Sequence, residues 1–104
     1  MKELYKRISQ EKAKEMMEDL KEYIILDVRT KAEYESGHIK GAVNVPNEEI
    51  YDEEILDIDF DTPIFVYCRS GHRSLNASAK LGLIGYTNIY EFGGINTWKY
   101  EIEI

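Results

Sequence analysis

The only cysteine of the chain, Cys68, begins a run of polar and small residues that directly follows an apolar segment, residues 63–67. The apolar segment is typical of a buried strand, and the residues after the run carry Ala77, Leu81 and Ile84 at helical spacing. The predicted order is therefore strand, loop and helix. The backbone N–H groups of such a loop, and the helix N-terminus behind it, favour negative charge. The pattern predicts an anion cradle with a thiol at its base.

A cysteine in this position is expected to ionise easily. A free thiol has a pKa near ~8.5, and helix N-termini or neighbouring cations lower it to roughly 3.5–7.5. Arg69 and Arg73 supply the cations here, and the thiolate is the form that attacks an electrophile. The alternative is a buried cysteine that packs as a small apolar residue. The six polar or small residues that follow Cys68 argue against that alternative.

The loop and the first turn of the helix provide the candidate substrate-binding residues. Their main-chain N–H groups can hold an anion, and the two arginines can attract its charge. Histidine is the side chain most suited to acid–base catalysis near neutral pH, so His72 is a candidate base, but its ring can equally point into solvent. Cys68 and His72 amount to half of a metal site, so no metal is predicted. The candidate residues are Arg69, Ser70, Gly71, His72, Arg73 and Ser74.

The segments before the cysteine alternate between helices and apolar strands. A helix is predicted from the N-cap Ser9 to about Leu20, followed by a strand at residues 23–26 that is covered on both faces. Thr30 and Glu33 fit a capping box at the start of a second helix. Further predicted elements are the end of that helix at Gly37, a strand at residues 42–45 and a helical turn or two from Asn47.

After the cysteine helix, residues 88–91 are predicted as the last strand. The glycine pair at 93–94 is expected to break the chain before a final short helix that holds Trp98. This alternation predicts an α/β fold with a parallel or mostly parallel sheet and helices on both faces. Ligands of such sheets collect beyond the carboxyl ends of the strands. Asp27, Cys68 and the glycine pair are all predicted at that edge.

Length and charge limit the classes of function. A chain of 104 residues predicts one domain over residues 1–104. A net charge of −7 argues against binding to nucleic acid or to an anionic membrane. No apolar run approaches the ~20 residues of a membrane span, so a cytoplasmic location is expected. A lone cysteine forms no internal disulfide, so a sulfur held on it must be discharged by a second molecule.

An acidic stretch between residues 47 and 62 contains eight carboxylates and no lysine or arginine. It is interpreted as a solvated surface, with docking of a basic partner as the alternative. A second group of charges, Asp27, Arg29 and Glu33, is expected to support the site. Asp27 at a strand end would accept N–H bonds from a neighbouring loop, and Arg29 would pair with Glu33 across the helix start.

Three stretches resemble, in order, the N-terminal, active-site and C-terminal signatures of the rhodanese family in its single-domain form. The first lies within residues 26–46, the second spans residues 66–74 and the third lies within residues 85–98. Together they cover nearly the entire chain. The residues that match are Leu26, Asp27, Val28, Arg29, Glu33, Tyr34, Gly37, His38, Ile39, Lys40, Gly41, Ala42, Asn44, Val45, Pro46, the loop around Cys68, Gly85, Tyr86, Gly93, Gly94, Ile95 and Trp98.

The resemblance implies an α/β fold around a five-stranded parallel sheet, and a sulfurtransferase without metal or organic cofactor. Cys68 would attack thiosulfate or a similar sulfane donor, become a persulfide and pass the sulfur to a thiol, cyanide or a protein acceptor. By the same analogy, Asp27 and Arg29 buttress the site without touching sulfur. Double-domain relatives carry an inactive partner domain that a single-domain form is expected to lack. A monomer or a weak homodimer is expected, and a homodimer or a separate partner would supply part of the site.

Two other functions are compatible with the residues. A cysteine-dependent phosphatase or arsenate reductase would use the same anion cradle, but phosphatase loops place five residues between cysteine and arginine. Only four separate Cys68 from Arg73, and the smaller ring suits a sulfur bonded to the thiol. A non-catalytic rhodanese-like docking module is the second alternative, and the acidic stretch is its best support.

Overall fold

Parallel strands, with helices packed on both of their faces, form the centre of the protein. The computed structural model describes residues 3–52 and 55–104. The strands are β1 Lys6–Arg7, β2 Ile24–Asp27, β3 His38–Ile39, β4 Val43–Asn44, β5 Ile64–Cys68, β6 Ile89–Gly94 and β7 Ile102–Glu103; the helices are α1 Gln10–Asp19, α2 Lys31–Glu35 and α3 His72–Ile84; 3-10 turns span Asn47–Glu49 and Ile95–Thr97.

The five-stranded sheet has the order β1-β6-β5-β2-β4, and every pairing in it is parallel. The predicted α/β class with a five-stranded parallel sheet is therefore confirmed. All of its strands point their carboxyl ends to one edge, which collects Asp27 of β2, Cys68 of β5 and Gly94 of β6. A separate antiparallel pair, β3 with β7, joins His38 and Ile39 to the C-terminal residues.

Alternation along β5 divides the core into two halves. Ile64, Val66 and Cys68 face α3, whereas Phe65 and Tyr67 face α1 on the other side of the sheet. All five residues of β5 are buried, as a central parallel strand requires. Cys68 thus ends a rigid strand, and its sulfur lies on the α3 side of the sheet.

Local sequence signals account for the helix starts. The Ser9 hydroxyl accepts the Lys12 N–H at 3.0 Å at the start of α1, and Thr30 with Glu33 completes a capping box at the start of α2. Both caps are as predicted. Each satisfies backbone N–H groups that the first turn of a helix leaves without a partner.

The C-terminal part differs from the prediction. The glycine pair does not break the chain, because β6 continues through Gly94, and Trp98 follows the 3-10 turn instead of lying within a helix. Strand β7 was not predicted at all. Its two residues contain no periodic pattern, and its partner β3 lies more than sixty residues away in the chain.

The acidic stretch begins with the 3-10 turn at Asn47–Glu49, whose two glutamates are exposed. Ile50 and Leu56 in this stretch are buried against the α3 side of the core, and the described carboxylates between them and after them are exposed. Glu53 and Glu54 lie outside the described residues. Within the described part of the chain, no helix combines the length and the apolarity that crossing a bilayer requires.

Candidate active site

The sulfur of Cys68 lies in a turn of backbone between β5 and α3. The Gly71 N–H donates to Sγ at 3.0 Å. Gly71 has φ +105°, a left-handed conformation that side-chain-bearing residues rarely adopt, and it is the N-cap of α3. This glycine lets the chain turn sharply enough to point its N–H back at the sulfur. A backbone N–H at the start of α3 thus points at the sulfur, and the binding of an anion by this loop stays a prediction.

The environment of Cys68 favours the thiolate. Burial raises the pKa of the thiol, but hydrogen bonds to the sulfur outweigh this effect and lower the pKa below its ordinary value. The contributing partners are the Ser74 side chain and the backbone N–H groups of Ser74, Gly71 and Ser70. Hydrogen bonds that stabilise the charged form of a thiol act in this direction. The site thus lowers the pKa of a buried thiol and so favours its thiolate form.

The end of β6 fixes the position of the loop from the other side. Cys68 is in register with Gly94, and the Arg69 carbonyl accepts the Asn96 N–H at 3.2 Å. A Cβ atom added at Gly94 would overlap with the Arg69 carbonyl group and would lie 2.7 Å from the Ser70 nitrogen. The absence of a side chain at Gly94 therefore permits the close approach of strand and loop.

Ser74 connects the sulfur to a buried carboxylate. Its hydroxyl lies 3.4 Å from Cys68 Sγ and donates to Glu91 Oε2 at 2.6 Å. Both Ser74 and Glu91 are buried. The Gly93 N–H also donates to Glu91 Oε2, at 3.0 Å, and Arg7 Nε lies 3.4 Å from Oε1. The predicted loop residue Ser74 thus contacts the sulfur directly, through its side chain.

Arg73 does not point its guanidinium freely into the cradle. Its Nη1 and Nη2 donate to the two carboxylate oxygens of Glu33 at 2.7 and 2.9 Å. The expected pairing of Arg29 with Glu33 is wrong. Arg29 precedes α2, and its side chain turns back to the carboxylate of Asp27, which leaves Glu33 to Arg73. The ion pair joins α2 to the start of α3 beside the cysteine loop.

The Glu33–Arg73 pair gives stability that depends on pH. The hydrogen bonds from Arg73 lower the pKa of Glu33 from 4.5 to about 2. A carboxylate with a depressed pKa stabilises the fold above its ordinary pKa and loses that contribution as pH falls. We expect the unfolding free energy of the wild type minus that of Glu33→Gln to be constant near neutrality and to shrink between pH 4.5 and about 2.

Urea unfolding at a series of pH values measures this difference. Glutamine can also occupy the N3 position of a capping box, so the variant removes the charge while the cap of α2 is kept. Subtracting the two proteins cancels the protonation of the other carboxylates. A difference that stays constant over this pH range would contradict the assignment.

Asp27, Arg29 and Tyr67 form a buried network on the α1 side of the sheet. Arg29 Nη2 lies 2.6 Å from Asp27 Oδ2, and the Tyr67 hydroxyl donates to the same oxygen at 2.6 Å. Arg29 Nη2 also donates to the Gly37 carbonyl, and the Ile39 N–H donates to the Tyr67 oxygen. Burial and the Asp27 carboxylate raise the pKa of Tyr67, so its hydroxyl remains a donor.

This network corrects one expectation and agrees with another. Asp27 accepts the N–H of Arg29, two residues further on, rather than N–H groups of a separate loop. Within the described residues, neither the Asp27 carboxylate nor Arg29 contacts the sulfur, and both lie on the opposite face of the sheet from Cys68, which fits a supporting role. The sequence analysis placed Tyr67 in the buried strand before Cys68. It did not predict that Tyr67 belongs to this network.

The remaining loop residues face outward. Arg69, Ser70 and His72 are exposed, and no hydrogen bond or ion pair of their side chains occurs among residues 3–52 and 55–104. Ser70 borders an open cavity of about 600 Å³, whose wall also includes Gln10, Gly94 and Lys99. The cavity gives a small molecule room to approach the loop. In the same part of the chain, no three His, Cys, Asp or Glu side chains are grouped as a metal site.

Glu91 is the site residue that the sequence reasoning missed. It was assigned to the last strand without a role. Period-two alternation places it on the same face as Ile89, which is a core residue. A carboxylate on the buried face of a strand requires a partner, and this was the available signal.

Comparison with known proteins agrees with this geometry. A family model described as "Rhodanese-like domain" matches residues 9–101. The chain is 36% identical over 103 residues to the thiosulfate sulfurtransferase GlpE of Pseudomonas fluorescens, covering 96% of this chain and 92% of that protein. A rhodanese-related protein from Thermoplasma volcanium superimposes with a TM-score of 0.76 at 29% identity, covering 95% of this chain and 98% of the other.

A second solved structure, described as a rhodanese with anions from E. coli, gives a TM-score of 0.70 at 30% identity. It covers 78% of this chain and 96% of the other.

Proposed function

The chain belongs to the rhodanese family, and from this membership we propose that it transfers a sulfane sulfur from thiosulfate, or a similar donor, through a persulfide on Cys68. The observation that supports the role of Cys68 is the Gly71 N–H pointing at its sulfur at 3.0 Å. A buried thiol held by backbone donors at a helix start is stabilised as a thiolate, which is the attacking form. The single domain is proposed to extend over the whole chain.

The first half-reaction loads the sulfur. The Cys68 thiolate attacks the outer sulfur of thiosulfate, a new Sγ–S bond forms, and the bond to the sulfonate sulfur breaks with its electron pair leaving on sulfite. The negative charge then lies on the outer sulfur of the persulfide. The backbone N–H groups of Ser70, Gly71 and Ser74, which contact Cys68 Sγ, stabilise this charge.

The second half-reaction transfers the outer sulfur of the Cys68 persulfide to an acceptor. A thiolate, cyanide or a nucleophilic group of an acceptor protein attacks the outer sulfur, and the electron pair of the Sγ–S bond returns to Cys68. Cyanide would leave as thiocyanate. Because the chain has one cysteine, no internal thiol can resolve the persulfide, and a second molecule is required. A cytoplasmic location, where small thiols are reduced and abundant, is part of this proposal.

The loop side chains are proposed to divide their roles. Arg69 is exposed beside the cradle and is the residue suited to attract the sulfonate of the donor. Arg73 already holds Glu33 and contributes its charge to the cradle from that position. Ser70 borders the open cavity and His72 is exposed at the start of α3, and both side chains bear on the choice of donor or acceptor. Neither metal nor organic cofactor takes part in these steps.

Intact-protein mass spectrometry tests the proposal. After incubation with thiosulfate, the protein is expected to gain one sulfur atom, and added cyanide is expected to remove it. The matched control is protein that was first alkylated with iodoacetamide, which modifies the single cysteine and should prevent any gain. A protein that alkylates readily but gains no sulfur would overturn the proposal, and phosphate esters and arsenate would then be the next substrates to test.

A further inference from the structure

A buried carboxylate one hydroxyl group away from the reactive sulfur has no part in the transfer steps above. Glu91 is 1% exposed. The groups that contact it within hydrogen-bonding distance are donors: the Ser74 hydroxyl, the Gly93 N–H and Arg7 Nε. An ionised carboxylate only accepts hydrogen bonds, so this set of partners fits a negative charge at Glu91.

The Ser74 hydroxyl has one proton and three neighbours that can accept it: Glu91 Oε2, Cys68 Sγ and the Gly93 carbonyl oxygen. Ser74 Oγ lies 2.6 Å from Glu91 Oε2, whereas Cys68 Sγ and the Gly93 carbonyl oxygen each lie 3.4 Å from Ser74 Oγ. In this arrangement the proton lies on the Glu91 side, and Ser74 Oγ is an acceptor for the S–H of a neutral thiol. A thiolate would need that proton for itself. Glu91 therefore opposes negative charge on Sγ, both by withholding the proton and by like-charge repulsion.

We propose that Glu91 is a positioning residue that, through Ser74, makes the Cys68 thiolate, once formed, a stronger nucleophile and a better holder of transferred sulfur. In the thiolate the charge lies on Sγ, next to Ser74. In the persulfide it lies on the outer sulfur, one bond further from Ser74 and Glu91. Glu91 thus destabilises the empty thiolate more than the loaded persulfide. The role of Glu91 in holding transferred sulfur rests on the proposed sulfur transfer. Its effect on the thiolate does not.

Other charged groups border the site and also affect how the reactivity of Cys68 depends on pH. None of them is hydrogen-bonded to the sulfur through a shared hydroxyl group, as Glu91 is, within the described residues. Arg7 on β1, Glu11 on α1 and Lys99 line the same cavity as Glu91, and Arg73 interacts electrostatically with Cys68. Arg69 and His72 flank the cradle in sequence. Only Ser74 bridges Sγ and a buried carboxylate within the described residues.

The rate of alkylation by iodoacetamide as a function of pH tests the inference without any sulfur transfer. In Glu91→Gln the amide can donate to Ser74 and leave the hydroxyl proton to the sulfur. The midpoint of the profile is expected to fall by about one pH unit. Because a less basic thiolate is a weaker nucleophile, the rate on the plateau at high pH should fall roughly threefold. A disturbed fold would not lower both the midpoint of the pH profile and the plateau rate.

Two further variants make the result decisive. Arg7→Gln also loses the ion pair with Glu91 but leaves the carboxylate in place, so its midpoint should not fall; an equal fall in both variants would overturn the proposal. If Glu91→Gln does not fold, Glu91→Asp draws the carboxylate back from Ser74 and should lower the midpoint in the same direction. An unchanged or raised midpoint in the folded Glu91 variant would also overturn it.

The persulfide provides the second readout. Loaded Glu91→Gln is expected to lose its sulfur to cyanide roughly threefold faster than the loaded wild type, because a less basic thiolate is a better leaving group. A slower or equal discharge would contradict the storage role. If no protein loads sulfur at all, the proposed function fails, while the alkylation profiles still decide the role of Glu91.

Discussion

Gly94→Ala is expected to reduce sulfur loading of Cys68 by about 100-fold, because a displacement of reacting groups by an ångström has effects of that size. The backbone at Gly94 is extended, with φ −139°, so alanine is tolerated there by the chain itself. The obstacle is the cysteine loop. The new methyl group would lie 2.7 Å from the Ser70 nitrogen and closer still to the Arg69 carbonyl. Both are backbone atoms that no rotamer change can move aside.

The loop must therefore shift, and the N–H groups aimed at the sulfur move with it. Loading is measured by intact mass against time in thiosulfate, together with thermal unfolding. Gly82→Ala is the matched control, because its methyl group would lie 2.7 Å from the Leu4 carbonyl oxygen, in a part of the chain remote from the cysteine loop. That variant should lose stability and keep its loading rate. If Gly94→Ala loads sulfur at the wild-type rate, the close approach of Gly94 to the cysteine loop is not needed for loading.

Arg29→Ala is expected to lower the free energy of unfolding by about 3–5 kcal/mol, the usual effect of removing one partner from a buried ion pair. Asp27 is fully buried, and it would keep only the Tyr67 hydroxyl and the Arg29 backbone N–H as donors. The Gly37 carbonyl would also lose its donor. The uncompensated carboxylate accounts for most of the loss.

Urea unfolding at neutral pH measures this change, with Lys40→Ala as the comparison. Lys40 pairs with Glu101 at the surface, where both side chains are more than half exposed, so its removal should change stability by less than about 1 kcal/mol. The ratio of loading rates with thiosulfate and with an organic thiosulfonate should stay unchanged in Arg29→Ala. A changed ratio with unchanged stability would assign Arg29 to donor recognition.

The parts of the fold that depend on local patterns could be predicted from the sequence. The caps at Ser9 and Thr30, the buried strand before Cys68 and the helix after it all follow from residues within one or two turns of each other. The position of Cys68 at the carboxyl edge follows from the alternation of strands and helices. These signals are local, and the parallel topology then leaves few arrangements.

The pairings between distant residues could not be predicted in the same way. Arg29 had two acidic candidates within four residues, and only the fold decides that it turns back to Asp27 while Glu33 reaches Arg73 across forty positions. Glu91 meets Ser74 because β6 lies beside β5, an adjacency that no short-range pattern contains. The site depends on these long-range contacts as much as on the cysteine loop itself.

The cysteine loop separates the positions that build it from the positions that meet solvent. Gly71 and Ser74 bind the sulfur, Arg73 ties the loop to α2, and the Arg69 carbonyl ties it to the end of β6. The side chains of Ser70 and His72 are exposed and have no such task among the described residues. These two positions can be randomised together in a small library with little risk to folding. The loop is therefore an evolvable one, in which new substrate ranges can arise without rebuilding the catalytic core.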